Sequence, residues 1–342
     1  MTAHQTPAPR VAEDLNRALH DAMSRDERVV LLGQDILDPY GGAFKITKGL
    51  SSRFPDRVIG MPISEQATVG IAGGLALCGN RPIVEIMFAD FVTLAYDQIL
   101  NFLTKSVSMY GRRVPMPVLI RCPVGGDRGY GPTHSQYLHK QLLGIPHLTL
   151  FELSPFHPCG PLLEEILSGD EPAMLFENKL LYGRRVHTGG VVDDLFQYDH
   201  LDPRGRVARI SIGAPADGDV VVIAPGGLCE RVLSAARRLF LTREIRCQIL
   251  VPVQLYPLDL TALLPTLAGA ARVCVVEEDV AGATWGADVA RAVYERLWRT
   301  LRHPVTVVSS RHGVIPAARV LEKQVVVQAD DVYRAIAEDI DA

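Results

Sequence analysis

Residues 60–79 read GMPISEQATVGIAGGLALCG, a stretch that turns from extended to helical chain and sets how everything around it is read. A proline-containing lead-in reaches Ser64, a residue type suited to an N-cap. From Glu65 onward the apolar residues Val69, Ile71, Ala72, Leu75 and Ala76 recur at helical spacing. The pattern predicts a helix with a carboxylate in its first turn. Gly70, Gly73 and Gly74 lie inside that helix, where each costs about 1 kcal/mol against alanine. Close approach of a second backbone, from this chain or from another subunit, would offset that cost. Glu65 taken alone implies no function, because the helix dipole favours acidic residues at helix starts in any protein.

Outward from this segment the composition is that of an ordinary globular protein. The 342 residues are nearly half apolar and suit two domains with cores of normal size. A formal charge of -4, with no cluster of Lys and Arg interleaved with aromatics, argues against a nucleic-acid binder. The six cysteines are scattered without a CxxC pair, so they signal neither a zinc site nor a disulfide framework. The opening MTAHQTPAPR has no apolar signal core, and no run is long enough to cross a bilayer; a cytoplasmic location is expected.

Before the glutamate segment, periodicity predicts a helix over Val11–Met23, a strand over Arg28–Gly33, a turn at Asp38–Gly42 and a helix over Phe44–Phe54. After it come a strand at Ile83–Phe88, one long helix from Phe91 to Tyr110 and a strand at Met116–Cys122. A strand, a helix and a strand ending at Asn178 complete the first series. These strands are continuous apolar runs and not alternating ones, as in parallel sheets covered on both faces. The fold class is therefore α/β, with two domains, each a mainly parallel sheet flanked by helices. The first spans residues 1–183. Residues 184–218, rich in Gly, Asp, Pro and Arg, read as a linker apart from a strand candidate at Val207–Ile212, and 219–342 form the second β/α domain.

The loop after Cys122, PVGGDRGYGPTHSQ, is too rich in glycine for a core and too rich in Arg, Tyr and His for a mere connector. It follows a strand's carboxyl end, the edge at which open parallel sheets bind ligands, so Arg121, Arg128, His134, Ser135 and Gln136 are candidates for substrate contact. Two readings stand for His134: contact with a ligand, or pinning of the loop through backbone hydrogen bonds. GxGxxG after a strand, the phosphate-loop motif, HExxH and Gly-x-Ser-x-Gly are all absent from the sequence.

Several separated motifs, in order, resemble the beta subunit of the thiamine-diphosphate-dependent 2-oxo acid dehydrogenase E1 component, within the transketolase-like superfamily. They are LLGQDI with GGAFKITKGL, MPISEQATVGIAGGLAL, EIMFADFVTLAYDQILN, GPTHSQ and FENKLLYG, followed by DVVVIAPGG and IPAARVLE. The resemblance covers nearly the whole chain. It implies a pyrimidine-binding first domain and a transketolase C-terminal-like second domain. It also implies that Glu65 hydrogen-bonds N1′ of the cofactor's aminopyrimidine, favouring the imino tautomer that removes the thiazolium proton. Ile63, Met87 and Phe91 would line the aminopyrimidine pocket, and His134 would face the reacting carbon. Taken singly, a Met or Phe at a strand–helix junction is more often plain core.

The family's GDG motif with a downstream Asn, which holds the divalent metal and the diphosphate, has no counterpart here; Asp217-Gly218-Asp219 lacks the continuation. An alpha-type partner carrying thiamine diphosphate's Mg ion is thus implied, in an α2β2 assembly, with a lipoyl-bearing or other acyl carrier as acceptor. A potassium site of some relatives uses the loop corresponding to Ile166–Glu171, where the family's aspartate aligns with Gly169. Gln34 replaces a frequent acidic residue, and Arg121 and Arg128 are placed to grip a carboxylate or a sugar phosphate. Three functions follow: decarboxylation of a 2-oxo acid with acyl transfer, a split transketolase-like ketol transfer, or a non-catalytic scaffold subunit.

Overall fold

The computed structural model describes residues 7–215 and 219–341; most of the Asp217-Gly218-Asp219 stretch, the end of the expected linker and the first six residues of MTAHQTPAPR lie outside them. The first sheet contains β1 (Val29–Gly33), β2 (Val58–Gly60), β3 (Arg81–Glu85), β4 (Leu119–Val124), β5 (Thr149–Glu152) and β6 (Ala173–Asn178). These strands run parallel in the order β5-β6-β4-β3-β1-β2. β1, β4 and β6 are buried along their whole length, as continuous apolar runs require. The helices Val11–Arg25 and Cys159–Ser168 pack together over one face, and the helix Glu65–Leu77 covers the other.

The second sheet contains β7 (Phe196–His200), β8 (Val207–Ile212), β9 (Val220–Ile223), β10 (Cys247–Pro252), β12 (Arg272–Val280) and β13 (Thr306–Ser310), ordered β13-β12-β9-β10-β8-β7. β11 (Gln254–Tyr256) crosses back and pairs antiparallel with β5 at the edge of the first sheet. Within this stretch, residues 184–215 are therefore not a free linker. β7 and β8 form an antiparallel extension of the second sheet, and the Asp, Pro and Gly of this stretch serve its turns: the Asp202 carboxylate accepts from Val207 N at 2.9 Å, and Gly205 has φ 67°. One apolar core runs from Val69 and Ile120 of the first domain to Val221, Val275 and Trp285 of the second.

Two expected helices form differently. Only Leu50–Arg53 is helical within Phe44–Phe54, because Lys45 and Gly49 adopt left-handed φ of 64° and 83° and break the run. The long helix expected over Phe91–Tyr110 is instead a 3-10 segment at Ala89–Ala95, a π-helical turn at Gln98–Leu103 and a short α turn at Thr104–Ser106. This segment packs against the Glu65 helix, and that contact explains a glycine. A Cβ on Gly73 would lie 2.3 Å from the Phe102 ring and 2.8 Å from Leu103, whereas one on Gly74 would meet nothing within 4 Å. The close approach at Gly73 is thus within this chain. The helix's outer face, with Ile71 and Leu77, is exposed.

The turn after β9 joins the domains by backbone contact. A Cβ on Gly226 would lie 2.0 Å from Leu153 O, and Gly227 N donates to Glu152 Oε1 at 2.8 Å. Burial pushes the Glu152 carboxyl up to about 8, and burial also lowers the neighbouring His139 to about 3. Their 3.3 Å approach is consequently a contact between neutral groups near pH 7, not an ion pair.

Two predictions follow from these contacts. Gly73→Ala destabilises the chain by about 2 kcal/mol, since overpacking against Phe102 outweighs the gain in helix propensity. Gly74→Ala stabilises it by up to about 1 kcal/mol, and chemical denaturation of both variants measures the contrast. Because the folded chain holds the Glu152 proton more tightly than the unfolded chain, that contribution is complete below 4.5 and is lost as pH rises through about 8. Melting curves of wild type and Glu152→Gln should therefore diverge across that window, wild type losing ground as pH rises; parallel curves would remove the assignment.

Candidate active site

Five parallel strands bring their carboxyl ends to one edge of the first sheet, and each delivers a polar or aromatic segment there. β1 leads to Gln34, β2 to Glu65, β3 to Met87, Phe88 and Phe91, β4 to the glycine-rich loop with His134, and β6 to Lys179. Register fixes the edge: Gly33 pairs with both Gly60 and Glu85.

Glu65 opens its helix with only 5% of its surface exposed, and its Oε1 accepts from Gln34 Nε2 at 3.1 Å. Ser64 takes the N-cap position without a side-chain cap; its carbonyl accepts instead from Thr68 N at 3.0 Å and Thr68 Oγ1 at 2.9 Å. Carboxylate, helix start and amide partner make a preorganised acceptor facing the sheet edge. Among the described residues no hydrogen bond joins Glu65 to His134.

His134 is half-buried in an aromatic cluster. Its ring stands edge-on to Phe88 at 4.7 Å and to Phe91 at 5.3 Å, and its Nδ1 lies 2.9 Å from Thr133 Oγ1. Gln136, an exposed residue, donates through Nε2 to Asp90 Oδ1 at 2.7 Å. Asp90 Oδ2 and Ser135 Oγ are buried there without a hydrogen-bond partner. Met87 is half-buried between β3 and the 3-10 segment, and Ile63 is 86% exposed. The strand ends thus gather Glu65, Met87, Phe91, His134 and Gln136 at one edge, while Ile63 stays open to solvent.

Arg121 departs from expectation. It is 1% exposed and ion-paired with Glu85 and Glu177, the latter through Nε at 2.6 Å, so it is spent on neutralising two buried carboxylates and is not available to a substrate. Tyr182 completes this network with a 2.6 Å bond to Glu177. Arg128 remains partly exposed; its guanidinium lies 5.5 Å from the Tyr130 ring and 5.9 Å from Phe44, and Nη1 donates to Lys179 O at 3.0 Å.

Sequence reasoning passed over Phe88 and Lys179. Phe88 is the hub that touches Phe44, Phe91, Tyr130 and His134. Lys179 is 1% exposed, lies 5.4 Å from the Phe88 ring and donates to His134 O at 2.8 Å; burial lowers its ammonium to about 8. A lysine directly after an apolar strand, in FENK, was the available signal.

Elsewhere, a cavity of about 600 Å³ lies between the Val11–Arg25 and Cys159–Ser168 helices near Val29 and Arg81, the amino ends of β1 and β3. Ion pairs line it, Arg28 with Asp26 at 2.7 Å and Arg25 with Glu164 at 3.3 Å, and it lies at the sheet edge opposite Glu65. In the Ile166–Glu171 turn, Arg81 donates to the carbonyls of Leu167 and Gly169, the second at 2.7 Å, placing a guanidinium where those oxygens face. Among the described residues no group of three or more His, Cys, Asp or Glu side chains is disposed to hold a metal, and no helix is long and apolar enough to cross a membrane.

Residues 8–185 match the family "Transketolase, pyrimidine binding domain", and residues 213–332 match "Transketolase, C-terminal domain". The chain is 32% identical to the acetoin:2,6-dichlorophenolindophenol oxidoreductase subunit beta of Cupriavidus necator, over 90% of each chain. It is 30% identical to the pyruvate dehydrogenase E1 component subunit beta of Rickettsia bellii, over 95% of this chain and 97% of that one. A solved split-gene transketolase, an inactive beta4 tetramer, has the same fold, with a TM-score of 0.71 and 20% identity over 98% of this chain and 99% of that one. With its glutamate at the sheet edge and both domains accounted for, the chain belongs to the transketolase-like family of 2-oxo acid dehydrogenase E1 beta subunits.

Proposed function

We propose that this chain is the beta half of a two-chain enzyme that uses thiamine diphosphate to decarboxylate a 2-oxo acid and pass the acyl group to a lipoyl or other carrier. The observation that carries the reading is the Glu65 carboxylate, 5% exposed at a helix start on the carboxyl edge of a parallel sheet. The residues there fit an aminopyrimidine: an acceptor held by Gln34, the aromatic face of Phe91, and two buried polar atoms, Asp90 Oδ2 and Ser135 Oγ, that lack partners. When bound, the cofactor supplies an electron-accepting ring for the charge left as carbon dioxide departs.

Within this chain, Glu65 would hold the proton shared with N1′. Met87, Phe91 and Ile63 would bracket the ring, and the aromatic cluster would exclude water from it. His134 would face the reacting carbon, with Gln136 and Arg128 on the side from which a carboxylate enters. Ile63, at 86% exposure, makes sense as one wall of a half-site that a second subunit closes. The same partner would cover the exposed Ile71, Leu77 and Leu94, giving the α2β2 assembly in which the alpha chain holds the metal and diphosphate. All six cysteines are free, which supports a reducing compartment such as the cytoplasm.

Calorimetric titration tests the half-site: the chain alone should bind thiamine diphosphate weakly or not at all, and the reconstituted pair tightly. In that pair, Glu65→Gln should lower kcat about a hundredfold or more while the cofactor still binds. Unchanged turnover would support the scaffold reading. Carbon dioxide released from a 2-oxo acid supports the decarboxylase, whereas two-carbon transfer from a ketose phosphate without it would establish the ketol transferase.

A further inference from the structure

We propose that the second domain sets the active-site loop of the first: Glu322, with Glu278 beside it, fixes the backbone of residues 126–129 and is a positioning residue for His134. The inference rests on the catalytic reading of His134 given above and adds the element that holds it in place.

The loop between β4 and His134 has an unusual backbone. Gly125, Asp127, Gly129 and Gly131 have φ of 92°, 67°, 72° and 79°, so every second residue is left-handed. Such alternation turns neighbouring N–H groups toward one side and creates a concave nest for an anion. Here the anions come from the other domain. Glu278 Oε1 accepts from Gly126 N at 2.6 Å, Glu322 Oε1 from Asp127 N at 2.8 Å and Glu322 Oε2 from Gly129 N at 2.8 Å.

Glu322 lies on the helix Arg319–Val325 and is fully buried. Burying a carboxylate is costly unless its oxygens are satisfied, and both are bound to this loop. Glu278 is neutralised by Arg231 Nη1 at 2.5 Å, and Arg231 also stands 3.6 Å from the Asp127 carboxylate. The loop glycines answer the same contact. A Cβ on Gly126 would come within 3.1 Å of Val326 Cγ2 and 3.2 Å of Glu322 Oε1, and one on Gly129 within 3.1 Å of Ala317 O. Asp127, a non-glycine residue in the left-handed region, is held there by the carboxylate on its own N–H.

A contact meant only to join domains could be apolar. Two carboxylates on three amides specify one backbone conformation, and that backbone runs directly to His134. Lys179 Nζ grips the His134 carbonyl at 2.8 Å, so the loop is held from its start by the second domain and at the histidine by the residue that follows β6.

Hydrogen exchange on the full chain tests the clamp. In Glu322→Gln, which keeps the size but loses one acceptor, amides of the 125–136 peptide should exchange about tenfold faster while those of β4 and β6 stay protected. The catalytic arm is a double-mutant cycle in the reconstituted holoenzyme. Glu322→Gln should lower kcat about tenfold or more, with KM within about twofold, and should add nothing once His134 is alanine. Wild-type exchange in the loop, or effects of Glu322→Gln and His134→Ala that multiply, would overturn the proposal. If His134→Ala alone left turnover intact, the role given to His134 would fall, and the exchange result would still decide the clamp. Should Glu322→Gln fail to fold, Glu278→Gln removes only the Gly126 bond and is read on the same peptide.

Discussion

A carboxylate taken out of water must be offered other partners, and at Glu65 these are the amide of Gln34 and the positive end of the helix it opens. The rest of the first domain exists in a form that makes this possible. Parallel strands place β1 and β2 side by side with their carboxyl ends level, so that the residue after one strand meets the first helical residue after the other. The glycine in the third turn lets Phe102 and Leu103 pack flush on the helix, fixing its position over the sheet. An antiparallel arrangement would scatter these groups to both edges.

Beside the shared apolar core, the second domain is bound to the first through contacts made to backbone. Gly226 and Gly227 dock on the ends of β5 and β6, Glu152 receives the amide of Gly227, and β11 adds itself to the first sheet. Glu278 and Glu322 extend the same logic to the loop after β4. Contacts of this kind transmit geometry, because a peptide N–H bonded to a buried carboxylate has little freedom to turn. The aromatic cluster around Phe88 then brings the loop's far end into register with the segment after β3.

Much of this was legible in the sequence, and for identifiable reasons. Continuous apolar runs announced the parallel strands, the spacing after Glu65 announced its helix, and the order of motifs pointed to the family. What escaped depended on partners distant in the chain. Arg121 looks like a ligand-binding arginine until Glu85 and Glu177 are seen on neighbouring strands. The π-helical turn at Gln98–Leu103 packs closely on a glycine of another helix, and periodicity within the segment does not encode it. β7 is short and carries Asp and His, so its pairing with β8 outweighs a weak local preference. The glycines of the His134 loop were visible as glycines; that they are required by carboxylates some 150 to 195 residues onward was not.

The most direct measurement of the central claim is a structure of the reconstituted two-chain complex with thiamine diphosphate bound. The account predicts the Glu65 carboxylate at hydrogen-bond distance, about 2.6–3 Å, from N1′ of the aminopyrimidine, with Phe91 against the ring. A pyrimidine bound elsewhere, with Glu65 still engaged only by Gln34, would contradict it.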